Sequence, residues 1–151
     1  MIKYDTIYTA GTFDLFNVGH LNILKKSKEL CNRLIVGVST DKLVESYKKI
    51  KPIIPFTQRV DIVRSCKYVD LVVKQEKLLD IDILQKYSVD CVTIGSDWKN
   101  KIVPSLCWMK SHGDVVYIPY TAKISSTKIK RKILKNSYNI INAELQRNAD
   151  R

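Results

Sequence analysis

Five short runs of apolar and β-branched residues, separated by stretches with helical spacing, constrain this chain more than any other feature. The runs are TIYTA (6–10), RLIVGVS (33–39), YVDLVV (68–73), DCVTIG (90–95) and DVVYIP (114–119). Their near-continuous apolar character suits strands covered on both faces, as in a parallel sheet. Between them, HLNILKKSKELC puts Leu21, Leu24 and Ser27/Lys28 at helical spacing, and FTQRVDIVRSC offers Thr57 as a cap before Val60, Ile62 and Val63. DIDILQKYS and VPSLCWMKSHG read as two further helices, the second with Pro104 near its start and Gly113 near its end.

This β-α-β-α order, with right-handed crossovers, predicts an α/β fold with a doubly wound five-stranded parallel sheet and helices on both faces. Ligands of such folds gather outside the carboxyl ends of the strands, so the loops after the first, fourth and fifth strands should carry the site. A chain of 151 residues has room for one ordinary domain. Residues 1–135 are expected to form it, with 136–151 as a polar C-terminal tail or helix.

The 26 Lys and Arg against 15 Asp and Glu give a formal charge of +11, which suits a polyanionic ligand. Much of the excess lies at Lys48/Lys49/Lys51 and from Lys123 to Lys135, and no aromatic-basic recognition motif accompanies it, which disfavours nucleic acid as a partner. The four cysteines show no CxxC spacing and read as free thiols of a reducing compartment. With no apolar leader and no run of membrane-spanning length, a cytoplasmic protein without membrane attachment is expected.

The first run is followed at once by GTFDLFNVGH, residues 11–20. Gly11 is expected to take dihedrals closed to other residues, and Gly19 to let backbone approach a ligand where a helix beginning near His20 offers free N–H groups. Such a helix start attracts phosphate. The spacing is neither G-x-G-x-x-G nor a Walker loop, so a different phosphate site is required. By itself, a histidine there reads as a cap, the lysine cluster as a solvated charge run, and SST (125–127) as an ordinary N-cap.

GTFDLFNVGH resembles the signature of the cytidylyltransferase branch of the nucleotidyltransferase superfamily, in which the loop ends in H-x-G-H. VGVSTDKLV, YKKIKPIIPFTQR, KYVDLVV, GSDW and YTAKISSTKIK are similar to further family segments in the same order, so the resemblance covers roughly Ile7 to Lys135. Within the branch it is nearest to the glycerol-3-phosphate cytidylyltransferases. The resemblance implies a Rossmann-like version of the predicted sheet, and transfer of CMP from CTP to a small phosphorylated alcohol with release of pyrophosphate. Choline phosphate, ethanolamine phosphate or another phosphate or phosphonate would fit as acceptor, and ATP could replace CTP.

The resemblance also assigns residues. His20, Asn17 and Lys48 take the catalytic positions, with His20 donating to an α-phosphate oxygen. Thr12, Phe13, Asp14 and Gly19 line the nucleotide site, Lys51 reaches anionic oxygens, and Arg59 braces the lysine loop. Gly95 and Asp97 meet the base; Tyr120, Thr121, Ile124, Ser125, Ser126 and Thr127 form the segment for the outer phosphates. Mg²⁺ carried mainly by the nucleotide phosphates is implied, with no protein ligands of its own, and so is a homodimer. Asn17 stands where relatives have the first histidine, Lys123 where glycine is usual, and Ser96 where the first aspartate of G-D-D-W is expected. Those departures leave open a slow enzyme, an altered acceptor or a nucleotide-binding module without turnover.

Overall fold

The computed structural model describes residues 1–150. The strands are β1 (Tyr4–Gly11), β2 (Cys31–Ser39), β3 (Leu71–Gln75), β4 (Cys91–Gly95) and β5 (Asp114–Ile118). They form one five-stranded parallel sheet, as the apolar runs predict, and its strand order is β3-β2-β1-β4-β5. Chain order reverses between β1 and β4, where Ile7 pairs with Cys91 and Thr9 with Thr93. A crevice opens at such a reversal because the loops leaving the two strands diverge.

The helices are α1 (Val18–Glu29), α2 (Asp41–Lys48), α3 (Phe56–Arg64), α4 (Ile81–Lys86), α5 (Pro104–His112) and α6 (Ser126–Ala149). Side-chain alternation along the strands separates two apolar layers. Ile7, Leu34, Val36 and Val38 pack with Leu24 of α1 and Val63 of α3 on one face. Tyr8, Ile35, Val92 and Ile94 pack with Leu84 of α4 and Leu106 and Met109 of α5 on the other. At Gly37 a side chain would run into the buried Tyr8 hydroxyl, which donates to Gln75 Oε1 at 2.8 Å, so glycine is required there by close approach.

Some local expectations need correction. Thr57 does not cap α3: Pro55 occupies that position and no side chain caps the helix. Residues 41–48, which carry no expected element, form α2, capped by Thr40 Oγ1 accepting from Leu43 N–H at 3.1 Å. Residues 136–149, expected as a polar tail or helix, are helical and continue α6 to Ala149. All four cysteines are free, with Cys31 and Cys91 buried and Cys107 exposed. Among the described residues, no helix is long and apolar enough to cross a membrane.

Candidate functional site

A cavity of about 580 Å³ opens at the reversal between β1 and β4, within the usual range for small-molecule sites. Every residue assigned from sequence lines it except Arg59. The loops after β1, β4 and β5 supply most of the wall, and the end of α2 with the lysine loop after it, together with Leu78 and Leu79 after β3, closes much of the remainder.

The start of α1 is built by Asn17 and His20 together. Asn17 is the N-cap; its Oδ1 accepts from Gly19 N–H at 2.9 Å and its Nδ2 donates to Leu15 O at 3.1 Å. His20, at the third helical position, completes a capping box by accepting from Asn17 N–H through Nδ1 at 3.2 Å. An imidazole that accepts at Nδ1 carries its proton on Nε2 when neutral. Burial pushes the His20 pKa down to about 4, against a partial upward pull from Asp14, so the ring is neutral near pH 7. Phe13 and Phe16 flank it with ring centroids 5.5 and 5.4 Å away. The Nε2–H has no hydrogen-bond partner among the described residues and remains available to a ligand.

Gly11 ends β1 and, like every other glycine, has no positive φ, contrary to the expectation for this loop. Close packing is its reason: a Cβ there would lie 3.2 Å from the Phe13 ring. Left-handed backbone falls instead on Phe13 (φ 55°) and Leu15 (φ 47°), a conformation that costs side-chain-bearing residues energy and recurs at functional loops.

Asp14 organises the cavity from within the protein. Its carboxylate accepts from Ile53 N–H and Ile54 N–H, both at 2.9 Å, and pairs with Lys130 Nζ at 3.0 Å. Burial alone would raise its pKa, but those two amides and Lys130 outweigh it and hold the group below the ordinary aspartate value. Asp14 is thereby committed to fixing the lysine loop and α6 against the loop after β1.

Arg59 lies beneath the cavity and is fully buried, which its chain position alone does not reveal. Its guanidinium donates to Ile54 O (2.9 Å), Thr12 O (2.6 Å), Ser39 O (2.8 Å) and Asp41 Oδ1 (2.6 Å). It therefore braces four segments behind the wall, the lysine loop at Ile54 among them, and does not present its charge to the cavity.

Lys48 ends α2 with Nζ 3.5 Å from Thr12 Oγ1, and Lys51 lines the cavity from the following loop. Burial, then the nearby Lys130, lower the Lys48 pKa, with Asp14 pulling the other way. The second helix start lies opposite. Ser125 caps α6 by accepting from Lys128 N–H at 3.1 Å, and Ser126 Oγ donates to Asp14 O at 2.6 Å. A Cβ on Gly19 would sit 3.8 Å from Ile124 O, so the two helix starts approach closely.

Lys130 was not singled out from sequence. It sits one turn into α6 on the face of Ser126, and this i, i+4 spacing is the signal that could have separated it from the neighbouring cations. Beside β4, a side chain at Gly95 would run into the Asp97 carboxylate. Exposed Tyr120 donates its N–H to Ser96 Oγ at 3.3 Å, and Thr121 Oγ1 accepts from Asn22 Nδ2 at 3.2 Å. Lys123 adopts φ 66°, so the position where glycine was expected does take left-handed backbone. Trp98, Leu79, Val103 and Ile118 add apolar lining near β4 and β5.

Among the described residues, no group of three or more His, Cys, Asp or Glu is arranged to hold a metal ion. The buried carboxylate in the cavity, Asp14, is occupied by two amides and Lys130. These residues do not form a cage for Mg²⁺.

A 3-2-1-4-5 parallel sheet with two helix starts facing across a cationic cavity defines a Rossmann-like α/β protein whose site suits an anionic ligand. The same fold occurs in a crystal structure of the lipopolysaccharide core biosynthesis protein from Thermoplasma volcanium, with TM-score 0.63 and 22% identity over 81% of this chain and 99% of that one. The cytidylyltransferase-like family model matches residues 8–132, and the chain belongs to that family. It is 36% identical over 129 residues to the glycerol-3-phosphate cytidylyltransferase of Bacillus spizizenii, spanning 83% of this chain and 94% of that one. It is also 30% identical over 133 residues to an FAD synthase of Thermococcus sibiricus, spanning 85% and 90%.

Proposed function

We propose that the protein is a CTP-dependent cytidylyltransferase that transfers CMP to a small phosphorylated alcohol, with glycerol 3-phosphate as acceptor, releasing pyrophosphate. The observation that carries this reading is the convergence of the α1 and α6 starts with Lys48, Lys51, Lys130 and neutral His20 on one cavity. The similarity to glycerol-3-phosphate cytidylyltransferases over most of both chains supports the choice of nucleotide and acceptor.

An ionised acceptor phosphate attacks the α-phosphorus of CTP in line, a new P–O bond forms, and the bond to the β-phosphate breaks to release pyrophosphate. The acceptor oxygen is already deprotonated, so no general base is needed. The protein's task is alignment and stabilisation of developing negative charge. His20 Nε2–H donates to a non-bridging α-phosphate oxygen without moving its proton, while the N–H groups at the start of α1 hold adjacent oxygens. Lys48 and Lys51 neutralise charge at the reacting end, and the start of α6 with Lys130 receives the outgoing pyrophosphate. The apolar lining by Trp98 and Ile118, with Asp97 at the rim, accommodates the base. Mg²⁺, when present, supplies charge neutralisation on the triphosphate and is carried by phosphate oxygens.

The FAD synthase relatives favour a second reading, an adenylyltransferase using ATP with a larger acceptor. Pyrophosphate release measured with CTP and ATP across glycerol 3-phosphate, choline phosphate, ethanolamine phosphate and FMN separates the two. The proposal expects product with CTP and glycerol 3-phosphate; turnover confined to ATP with FMN would replace it. Stabilisation by CTP without turnover on any pair would leave a binding module.

A further inference from the structure

One wall of the cavity has no task in binding the nucleotide. In the proposed function the starts of α1 and α6 and the loops after β4 and β5 take CTP, and β4 and β5 lie on one side of β1 in the sheet. On the other side Ser39 and Gln75 end β2 and β3, pair across the two strands, and line the cavity with Leu78 and Leu79. Both polar residues are buried, Ser39 at 1% exposure and Gln75 at 2%. Behind them Tyr8, which does not line the cavity, donates its hydroxyl to Gln75 Oε1 at 2.8 Å, and Gln75 Nε2 donates to Ser39 Oγ at 3.1 Å. Gly37 leaves the room that the Tyr8 hydroxyl fills. The direction of this row is set at its buried end. Gln75 is the one hydrogen-bond partner of the Tyr8 hydroxyl among the described residues, so turning the amide over would strand a fully buried phenol proton. The amide therefore faces Ser39 with its nitrogen. One Nε2–H of Gln75 and the Ser39 O–H are left without an acceptor among the described residues.

Resting on the function proposed above, we infer that Gln75 and Ser39 select the acceptor by donating two hydrogen bonds to the alcohol end of a polyol phosphate, and that Tyr8 is the positioning residue that keeps the Gln75 amide turned to donate. Lys48 and Lys51 come from the connection between β2 and β3, the strands that end in Ser39 and Gln75. An acceptor phosphate held by those lysines leaves its alcohol end to this wall. The hydroxyl oxygens of glycerol 3-phosphate offer lone pairs to both donors, whereas an ammonium group offers none. Nor does a carboxylate stand ready for a cation. Among the described residues Asp14 and Asp97 line the cavity, but Asp14 is spent on Ile53, Ile54 and Lys130, and Asp97 belongs to the far side, after β4. Choline phosphate and ethanolamine phosphate would thus leave two buried donors unpaired, a mismatch that discriminates more strongly than a change in apolar contact.

Steady-state kinetics of the full chain with CTP reads this selection. The wild type should prefer glycerol 3-phosphate to ethanolamine phosphate by about 10²-fold in kcat/KM. Tyr8→Phe frees the amide to turn its oxygen toward the Ser39 hydroxyl, so the KM for glycerol 3-phosphate should rise about tenfold while the KM for CTP is unchanged. Ser39→Ala removes one donor, keeps the backbone carbonyl that Arg59 holds, and should raise the same KM alone; it decides the matter if Tyr8→Phe does not fold. Gln75→Glu puts a carboxylate where the free donor stood and should narrow the preference toward ethanolamine phosphate. A wild type that uses choline phosphate or ethanolamine phosphate as well as glycerol 3-phosphate would overturn the selection and leave the cytidylyltransferase standing. The same holds if Tyr8→Phe and Ser39→Ala leave the acceptor KM unchanged, or raise the KM for CTP in equal measure as a merely structural role does. Absence of turnover with CTP and every acceptor would overturn the proposed function and this selection together.

Discussion

At the scale of single residues, the histidine in FNVGH is a cap and, in the proposed function, a donor, and the same hydrogen bond accounts for both. Accepting from Asn17 N–H holds the ring and leaves the proton on Nε2. His20→Ala should therefore lower turnover by about 10²-fold or more, as loss of a transition-state donor does, while unfolding stability falls by only about 1 kcal/mol for the lost capping bond. Equal fractional losses in activity and stability would make the residue purely structural. Oδ1 and one N–H of Nδ2 of Asn17 are used in holding the loop, leaving the second Nδ2–H without a partner among the described residues. Asn17→Ala should cost about 1 kcal/mol in denaturant unfolding. Asn17→Asp should retain the cap but weaken nucleotide binding by placing a negative charge at the phosphate cradle, which calorimetry with CTP would detect. These asparagine variants separate the cap from any missing positive charge.

At the scale of elements, two features decide how the loops are held. Lys123 sits at φ 66° just before the start of α6, where a side chain is strained by roughly 1 kcal/mol. Lys123→Gly should raise the unfolding midpoint by a few degrees without moving α6; a lower midpoint would show that the lysine side chain contributes more than its backbone costs. Arg59 is the opposite case, a residue away from the cavity on which the cavity wall depends. Arg59→Met leaves Asp41 and three backbone carbonyls without their donor and should cost roughly 3–5 kcal/mol. CTP binding should fall with it, because Thr12 and the lysine loop lose a common anchor. Preserved stability with lost binding would instead give Arg59 a direct ligand role.

At the scale of the whole molecule, acid acts through two windows. His20 is held neutral in the folded state with a pKa near 4, so protons bind the unfolded chain first as pH falls below about 6.5. Stability is lost across that window by roughly 1.4 kcal/mol per pH unit and the loss levels off near pH 4. Asp14, held below its ordinary value, contributes stability that is present above that value and lost as pH falls through its folded pKa. Thermal unfolding between pH 7 and 4 should show the first window, and His20→Gln should flatten it while leaving the acid limb below pH 4. A wild-type curve already flat from pH 6.5 to 4 would refute the buried neutral imidazole.

The sequence by itself determined the sheet, the helices on both faces and the loops that line the cavity, because apolar period and turn residues are local properties written along the chain. Strands, the start of α1 and the cap of α6 were legible for that reason, and the ordered segments shared with relatives singled out the cavity residues. Helix α2 was less legible because one apolar residue, Val44, is buried in a short polar segment. Only the tertiary structure decided what each charge does. Arg59 is withdrawn behind the wall because carbonyls from Thr12, Ser39 and Ile54 meet there, Asp14 is consumed by amides 39 and 40 residues away, and Lys130 is brought in from α6. Charge can be read from composition, but whether it faces a ligand or a buried partner depends on long-range contacts that no local pattern encodes.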